Sequence, residues 1–381
     1  MDGVRLFTSE SVSEGHPDKL ADQISDALLD RFLAGDPQSR TGIETVLGKG
    51  FVVVTGEVKT ETYVEIPDVV RDTIESVGYN DISYGFDGRT CGVLVSIHNQ
   101  SIEIAEAVDD GGAGDQGMMF GYACTETEEL MPLPIAMAHA MMRRQAWVKR
   151  EHPGLGILPD AKCQVTVTYE DWRPKAVHTV VCSCQHSPKL TNEEVEQRVK
   201  EHIIEPTLRD FADRVDIEGK IQYHINPSGK FTIGGPEADA GLTGRKVIVD
   251  TYGGFAPHGG GAFSGKDPTK VDRSATYMCR HVAKCIVAAG LAERALVSVA
   301  YAIGMVDPVQ ISVETFGTNQ VDEKKIEALV RERFSFKPRE IERYLQLRSS
   351  KFLYRDTARN GHFGAKPFPW EDTSAAKDLV V

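Results

Sequence analysis

Apolar residues recur at helical spacing in several parts of the chain. Leu20, Ile24 and Leu28 follow one another at intervals of four until a Gly-Asp-Pro sequence interrupts the pattern. Positions four apart lie on one face of a helix, and Gly and Pro end helices, so the pattern predicts a helix over residues 17–34. The same reasoning predicts further helices over 67–77, 134–150, 192–211 with a break near Pro206, 275–289, 323–334 and 338–347.

Shorter runs alternate between two sets of residues, as a strand with one buried face does. Val52 and Val54 alternate with Val53 and Thr55, which predicts a strand over residues 51–58. Because strands and helices alternate along the whole chain, we predict an α/β (α+β) fold. Further strands are predicted over 42–47, 91–97, 160–170, 175–185, 221–227, 230–235, 245–254, 295–303 and 310–316.

Length and charge narrow the class of protein. The chain has 381 residues, enough for two or three domains of about 150 residues each. Its net charge of −13 argues against nucleic acid and anionic membranes as partners. The N-terminus lacks the apolar region of a signal peptide, and no apolar run approaches the ~20 residues that span a bilayer. We therefore expect a cytoplasmic protein that binds small molecules.

Cysteine usage points to reduced thiols. The chain has seven cysteines, an odd number, and none of them form a C-x-x-C pair. We interpret them as packing residues. Cys182 and Cys184 would share one face of a strand, which makes them a weak candidate for metal or redox chemistry.

Residues 253–274 read GGFAPHGGGAFSGKDPTKVDRS and contain six glycines. Glycines allow backbone N–H groups to approach phosphate oxygens, and Lys266 and Lys270 supply positive charge. Asp267 and Asp272 supply carboxylates of the kind that hold Mg²⁺ beside a nucleotide triphosphate. The composition therefore suits polyphosphate binding, with a solvated surface loop as the alternative.

The loop nearly satisfies the Walker pattern, G-x-x-x-x-G-K-[ST], but Asp267 stands where the Mg²⁺-binding hydroxyl belongs. Pro268 follows, and the helical pattern resumes only near Arg273, so no helix begins at the lysine. We therefore reject a P-loop and keep the phosphate chemistry. The sequence also lacks G-x-S-x-G, H-E-x-x-H and C-x-x-C motifs, which leaves hydrolase and zinc-site interpretations unsupported.

Other candidate residues are scattered along the chain. His16 and Asp18 stand at the start of the first predicted helix, where they either face an anion or simply cap the helix. Glu44 and Glu57 lie on predicted strands, where a glutamate is either exposed or faces a ligand. Residues 102–115 are small and acidic, and are either a mobile lid or a domain linker.

Five segments, in order, resemble the S-adenosylmethionine synthetase (methionine adenosyltransferase) family. They are TSESVSEGHPDK at 8–19, GAGDQG at 112–117, DAK at 160–162, GGP, GLTGRK and DTYGG within 234–254, and GGGAFSGKDPTKVDRS at 259–274. The resemblance extends from Leu6 to Trp370. It implies three similar domains of mixed sheet plus helices around a pseudo-threefold axis. We place them at 1–108, 109–228 and 229–381, with segments exchanged in space.

The resemblance also implies the reaction. The family joins ATP and L-methionine: the methionine sulfur attacks ribose C5′, and the expelled triphosphate is cleaved to phosphate and pyrophosphate. Such enzymes use Mg²⁺, two per site, and K⁺. They work as homodimers or as dimers of dimers (homotetramers), with active sites at the subunit interface.

The resemblance also implies the site residues that follow, each by its match to the family. The catalytic set is His16, Lys162, Arg245, Lys246, Lys266 and Lys270. The ATP contacts are His16, Asp160, Lys162, Lys230, Phe231, Asp239, Arg245, Lys246, Ala262 and Lys266. The methionine contacts are Glu57, Gln100, Asp239 and Lys270. Asp18 and Asp272 would hold Mg²⁺ and Glu44 would hold K⁺. Lys19 is expected beside the phosphates and Asp115 beside the substrates.

One departure concerns the mobile gate of the family. Between Gln100 and Gly114 the chain carries SIEIAEAVDDGGA, which is shorter than in bacterial members. Lid kinetics and substrate affinity would be affected, whereas the chemistry would not. Two alternatives remain open from the residues: a Mg²⁺-dependent triphosphatase or kinase, and a non-catalytic regulatory subunit.

Overall fold

A computed structural model describes residues 4–99 and 111–379. Three mixed or antiparallel sheets each pack against helices, so the predicted class of mixed sheets plus helices is confirmed. The strands are β1 Val4–Val12, β2 Arg40–Gly48, β3 Phe51–Lys59, β4 Gly92–His98, β5 Gly117–Cys124, β6 Ile157–Glu170, β7 Arg173–His186, β8 Gln222–Ile225, β9 Gly241–Leu242, β10 Arg294–Tyr301 and β11 Gln310–Glu314. The α-helices are α1 Pro17–Gly35, α2 Ile66–Val77, α3 Leu133–Glu151, α4 Asn192–Val199, α5 Glu205–Arg209, α6 Val247–Asp250, α7 Val271–Ala288, α8 Glu323–Arg333, α9 Pro338–Tyr344 and α10 Tyr354–Thr357.

Each sheet combines strands from two distant parts of the chain. The strand orders are β1-β6-β7-β8, β11-β10-β5 and β4-β3-β2-β9. Within them β3–β4 and β7–β8 are parallel pairs, and the other neighbours are antiparallel. The N-terminal strand thus joins the middle of the chain, the middle contributes β5 to the C-terminal sheet, and β9 returns to the N-terminal sheet. The predicted domain boundaries stay a prediction.

Helix α1 matches the helix predicted from the apolar spacing. Pro17 occupies its first turn, where the missing N–H costs nothing, and the backbone N–H of Asp18 donates to His16 Nδ1 at the N-cap. Leu20 and Ile24 are fully buried against β2 and β3. The N-terminal end of the helix, where the dipole favours anions, therefore carries the buried residues His16 and Asp18.

A second helix, α7, lies beneath β5 and β10. A methyl group at Gly121 would collide with the backbone of Cys279 and Arg280, so only glycine permits this close approach. The C-terminal arm packs on the same helix. Trp370 is fully buried and stacks on Tyr277 with ring centroids 3.8 Å apart, so the aromatic arm is anchored as the sequence suggests.

The helix predicted over 192–211 is interrupted. A π-helical turn, Lys200–Ile204, separates α4 from α5, and Pro206 lies in the first turn of α5. Proline lacks an N–H and its ring clashes with the preceding turn, which explains the break predicted there.

Two predicted strands are wrong. Residues 230–234 are irregular, and α6 replaces the strand predicted over 245–254. Val and Ile favour strands, but here tertiary contacts prevail: the Asp250 carboxylate binds Lys19, and its carbonyl accepts from His362 N. Strands β1 and β5 went unpredicted because their polar and small residues hide the alternation.

All seven cysteines are buried and unpaired, in keeping with reduced packing residues. The sulfur atoms of Cys182 and Cys184 lie 3.7 Å apart, and burial raises the pKa of the Cys163 thiol beside them. Across the part of the chain that the structure describes, no helix has the length and apolar character needed to cross a membrane.

Candidate active site

The N-terminus of α1 and the turn after β9 meet at a single carboxylate. Asp18 Oδ2 lies 2.6 Å from Lys246 Nζ, and Oδ1 lies 3.6 Å from Arg245 Nε. Asp18 Oδ1 also accepts from Leu242 N at 3.0 Å. Burial raises the pKa of Asp18, but Lys246 and the Leu242 N–H outweigh burial and hold it below its usual value. We call Asp18, His16, Lys162, Arg245 and Lys246 the helix-cap cluster.

His16 is buried beside these cations. Burial and then the charges of Lys246 and Lys162 lower its pKa to about 3, so the ring is neutral near pH 7. Its Nδ1 accepts the Asp18 N–H at 3.1 Å. A neutral ring that accepts at Nδ1 carries its proton on Nε2, so His16 is a neutral hydrogen-bond donor. Lys162, opposite Val12 on β6, is exposed.

Lys19 is placed differently from the expectation. Its ammonium is fully buried, 3.1 Å from Asp22 Oδ2 and 2.5 Å from Asp250 Oδ1. These carboxylates raise its pKa against the opposing effect of burial. Asp22 Oδ1 accepts from Gly244 N at 2.8 Å. Lys19 therefore does not stand with the exposed cations; it joins α1 to the turn that carries Arg245.

Sequence reasoning missed Asp22 and Asp250. The three-residue spacing of Lys19 and Asp22 on α1 was an available signal. The contact from Lys19 to Asp250 spans 231 residues and has no local signal.

The predicted nucleoside contacts lie around the start of β6. Asp160 is buried, and its Oδ2 accepts from Gly235 N at 2.8 Å. Burial raises its pKa to about 6, and the nearby Asp239 contributes in the same direction. Phe231 N donates to His186 Nε2 at 3.1 Å, which ties the loop carrying Lys230 to the end of β7. These residues thus lie at one end of the first sheet, where β6 begins and β7 ends.

The glycine-rich loop is pinned to β2. Gly265 N donates to Asp26 Oδ1, and Gly265 O accepts from Thr41 Oγ1 and Ile43 N. Gly265 has φ +80, and a methyl group there would collide with the Ile43 carbonyl. Only glycine adopts this positive φ readily and also leaves room for the Ile43 carbonyl. The loop predicted to bind polyphosphate is therefore held against β2 by these contacts.

Lys266 and Asp272 form an ion pair, with Nζ and Oδ2 2.5 Å apart. Both side chains are partly exposed, and the backbone of Gly261 packs directly on Asp272. Gly117 lies beside Asp272 too, which brings the exposed Asp115 to this edge. Lys266 and Asp272 are called the loop cluster below.

Lys270 is held by a carboxylate that the sequence offered as a metal ligand. Its Nζ lies 2.6 Å from Asp267 Oδ2, and Asp267 is fully buried. Asp267 also accepts from Thr41 N and Thr269 N, and its Oδ1 lies 3.4 Å from Arg348 Nη2. Burial opposes ionisation of Asp267, but these cations lower its pKa. Asp267 is thus a structural anchor.

The two clusters are separated along β2. The backbone of Lys266 forms an isolated β-bridge with Gly42. Leu242, whose N–H donates to Asp18, is paired with Val46 in the β2–β9 ladder. Four residues at about 3.4 Å each place these points about 14 Å apart. Glu57 lies opposite Gly42 on β3, beside the loop cluster.

The remaining predicted residues are placed as follows. Glu44 is exposed on β2, opposite Thr55. Ala262 packs on the turn that precedes Arg245, because a methyl group at Gly244 would lie 2.5 Å from Ala262 Cβ. Gln100 and the first nine residues of the predicted lid lie outside the described residues.

Carboxylates are dispersed over this region. Among residues 4–99 and 111–379, no group of three or more His, Cys, Asp and Glu could hold a metal ion. Mg²⁺ commonly takes one or two carboxylates and completes its shell with substrate phosphates and water. Asp18 and Asp272, each the single carboxylate of its cluster, fit that role.

Three domain models of one protein family match successive parts of the chain. The S-adenosylmethionine synthetase N-terminal domain matches residues 4–102, the central domain 110–231 and the C-terminal domain 233–372. Two S-adenosylmethionine synthases, from Myxococcus xanthus strain DK1622 and from Myxococcus xanthus, are each 55% identical to this chain. Each alignment covers 98% of this chain and 94% of the relative.

The fold and these family matches define an α/β transferase. The chain belongs to the S-adenosylmethionine synthetase family. It is a methionine adenosyltransferase, which forms S-adenosylmethionine from ATP and methionine.

Proposed function

We propose that the enzyme aligns the methionine sulfur with ribose C5′ and stabilises the departing triphosphate. A sulfur lone pair forms the S–C5′ bond as the C5′–O bond breaks. The product is a sulfonium ion, and the bonding electrons leave on the triphosphate. Water then divides the triphosphate into phosphate and pyrophosphate. A thioether sulfur needs no activating base, so the protein's task is orientation and charge stabilisation.

The helix-cap cluster carries this proposal. Arg245 and Lys246 pair with Asp18 at the N-terminus of α1, yet Arg245 is half exposed and Lys246 retains a 17% exposed side chain. Both side chains are in part exposed to solvent, so each can reorient from Asp18 toward a phosphate. His16, neutral with its proton on Nε2, adds an uncharged hydrogen-bond donor for the leaving oxygen.

The loop cluster supplies a second set of charges. Lys266 donates to phosphate oxygens in this proposal, and Asp18 and Asp272 hold the Mg²⁺ ions, which reduce the negative charge of the triphosphate. Asp160, Asp239 and Phe231 contact the nucleoside by their position around β6. Lys162, Lys230 and Ala262 complete the ATP contacts.

Methionine is proposed to lie beside Lys270. Asp267 orients its ammonium toward the loop, where it would meet the methionine carboxylate. Glu57, near Gly42, would hold the methionine ammonium together with Asp239. Gln100 stays in the methionine set on the strength of the family resemblance alone. Glu44, exposed on β2, is proposed as the K⁺ ligand.

We also propose a site shared between subunits of a homodimer or a dimer of dimers. The loop cluster and the helix-cap cluster meet β2 at points about 14 Å apart, and a second copy of the chain would complete the site between them. Each sheet also exposes a large apolar side chain: Leu6 on β1, Leu94 on β4 and Met118 on β5, each about half exposed. Such residues on sheet faces are typical of subunit interfaces.

The proposal predicts methionine-dependent turnover. Incubation with ATP, methionine, Mg²⁺ and K⁺ should give S-adenosylmethionine, phosphate and pyrophosphate. Phosphate release of equal rate without methionine would favour a triphosphatase or kinase. No product under any condition would favour a non-catalytic subunit.

A single charge deletion tests the loop cluster. Lys266→Ala should remove about 2–4 kcal/mol of transition-state stabilisation, as loss of one preorganised donor does. Its Tm should stay near wild type because the ammonium is partly exposed. Unchanged kcat/KM in Lys266→Ala would remove this lysine from the site.

A further inference from the structure

We propose that a cavity outside the helix-cap and loop clusters binds a short inorganic phosphate chain such as pyrophosphate. The cavity has a volume of about 510 Å³ and lies between the start of β2, the end of the glycine-rich loop and α9. Its described lining residues are Gln38, Arg40, Gly111, Gly112, Thr269, Pro338, Arg339, Glu342, Arg343 and Arg348.

Charge identifies the class of ligand. Four arginines and a single glutamate line the cavity, in a chain whose net charge is −13. Arginine presents a planar fork of donors that matches phosphate oxygens bidentately, which makes it the preferred residue for phosphate recognition. None of the described lining residues is aromatic, so the cavity offers no stacking surface for a nucleobase. A phosphate chain without a nucleoside therefore fits better than a nucleotide.

Two of the arginines define how the cavity works. Arg348 is fixed, with Nε 2.9 Å from Glu342 Oε1 and Nη1 donating to the carbonyls of Pro37 and Ser39. Arg343 is exposed, and its side chain forms no ion pair or hydrogen bond with another described residue. The cavity thus combines a preorganised guanidinium with one that is available to close on a ligand.

The cavity is connected to the proposed methionine contact. Arg348 Nη2 lies 3.4 Å from Asp267 Oδ1, and Lys270 Nζ lies 2.6 Å from Asp267 Oδ2. The N–H of Thr269, another lining residue, donates to the same carboxylate at 2.9 Å. An anion that attracts Arg348 weakens its hold on Asp267 and strengthens the pairing of Asp267 with Lys270. Occupancy should therefore alter methionine binding, an inference that rests on the proposed role of Lys270.

The binding experiment is calorimetric titration with pyrophosphate, in Mg²⁺-free buffer, of the wild-type enzyme and three variants. Wild type should show two classes of site per chain. Arg343→Ala should weaken one class at least about tenfold, as loss of a charge-assisted contact does. Lys246→Ala should weaken the other class. Arg333→Ala is the matched control, because it removes an exposed arginine on the neighbouring helix that does not line the cavity.

Binding outcomes separate the possibilities. Two undiminished classes in Arg343→Ala, or one class in the wild type that only Lys246→Ala removes, would overturn the second site. An equal response to chloride at the same ionic strength would show charge screening and would also overturn it. Arg343→Lys keeps the charge and loses the fork, so its affinity should lie between those of wild type and Arg343→Ala.

The kinetic experiment tests the connection to Lys270. Pyrophosphate bound at the helix-cap cluster alters the KM for methionine in every variant, so the test is the additional change: pyrophosphate should alter this KM more in wild type and in Arg333→Ala than in Arg343→Ala. Identical responses in all three would overturn the coupling. If Arg343→Ala abolishes one binding class while no variant makes S-adenosylmethionine, the cavity stands and the proposed function fails. If the enzyme makes S-adenosylmethionine normally and pyrophosphate binding is unaltered in Arg343→Ala, the proposed function stands and the cavity proposal fails.

Discussion

Two networks in this molecule each join one carboxylate to two cations, yet they serve different ends. Asp18 pairs with Arg245 and Lys246, whose side chains are 49% and 17% exposed. Glu371 pairs with Arg280 and Lys284, whose side chains are 0% and 7% exposed. The first network can exchange its partner for a phosphate. The second is closed to solvent and holds the C-terminal arm on α7.

The comparison teaches that the surroundings of a charge, rather than its type, decide its role. Arg280 donates to the carbonyls of Tyr122, Leu130 and Glu129 as well as to Glu371, so its donors are used within the fold. Arg245, by contrast, has one long contact with Asp18. A cation with spare donors at a helix N-terminus is suited to an anionic ligand.

The largest expected effect is on stability, in the closed network. Glu371→Ala should lower the free energy of unfolding by about 3–5 kcal/mol, because two buried cations lose their partner. Urea unfolding followed by Trp370 fluorescence measures the change. A loss below about 1 kcal/mol would mean that the arm is held by its aromatic packing instead.

The next effect is on catalysis, in the open network. Lys246→Ala should lower kcat by about 10²–10³-fold, the usual result of losing one preorganised donor. Lys284→Ala is the matched control, since it deletes the same side chain from the closed network. It should lower Tm more than Lys246→Ala does and leave kcat of the folded enzyme unchanged. The reverse result would break the comparison.

A pH experiment compares a carboxylate whose pKa is raised by burial, Asp30, with one whose pKa is lowered by its partners, Asp18. Burial raises the pKa of Asp30 to about 7, although it accepts from the N–H groups of Tyr354 and Arg355. A raised folded-state pKa contributes stability that is present below the unfolded value of 3.8 and is lost as pH rises toward 7. Asp18, with its lowered pKa, has the opposite sign and loses stability as pH falls.

Asp30→Asn should therefore remove one source of pH dependence. The free energy of unfolding of wild type minus that of Asp30→Asn should decrease as pH is raised from about 4 to about 7. Thermal unfolding across that range measures the difference. A difference that stays constant with pH would show that folding does not raise the pKa of Asp30.

The smallest effect belongs to an exposed pair. Arg331 and Glu327 lie one helical turn apart on α8, with Nη2 2.9 Å from Oε1. Arg331→Ala should change the free energy of unfolding by no more than about 0.5 kcal/mol, because solvent screens the pair. Urea unfolding of Arg331→Ala and Glu371→Ala under the same conditions compares the two changes in free energy of unfolding. A change above about 1 kcal/mol in Arg331→Ala would show that exposure does not predict how much an ion pair stabilises the fold.

Much of the fold follows from local pattern. The helix predicted over 17–34 is Pro17–Gly35, and the strand predicted over 51–58 is Phe51–Lys59. Strand β9 could not be predicted, because two residues carry no periodicity and it exists only through pairing with β2. The strand expected over 245–254 became α6 through contacts with Lys19 and His362.

The sequence by itself determined the family, through its five motifs, and the main helices and strands, through apolar spacing. Both are local properties, since residues three or four apart in a helix are neighbours in space. Only the tertiary structure decided which charges face a ligand. Lys19 and Arg245 both lie in family motifs. Lys19, however, is buried in an ion pair with Asp250, which is 231 residues away in the chain. Such long-range pairings depend on the packing of whole sheets, which no local pattern records.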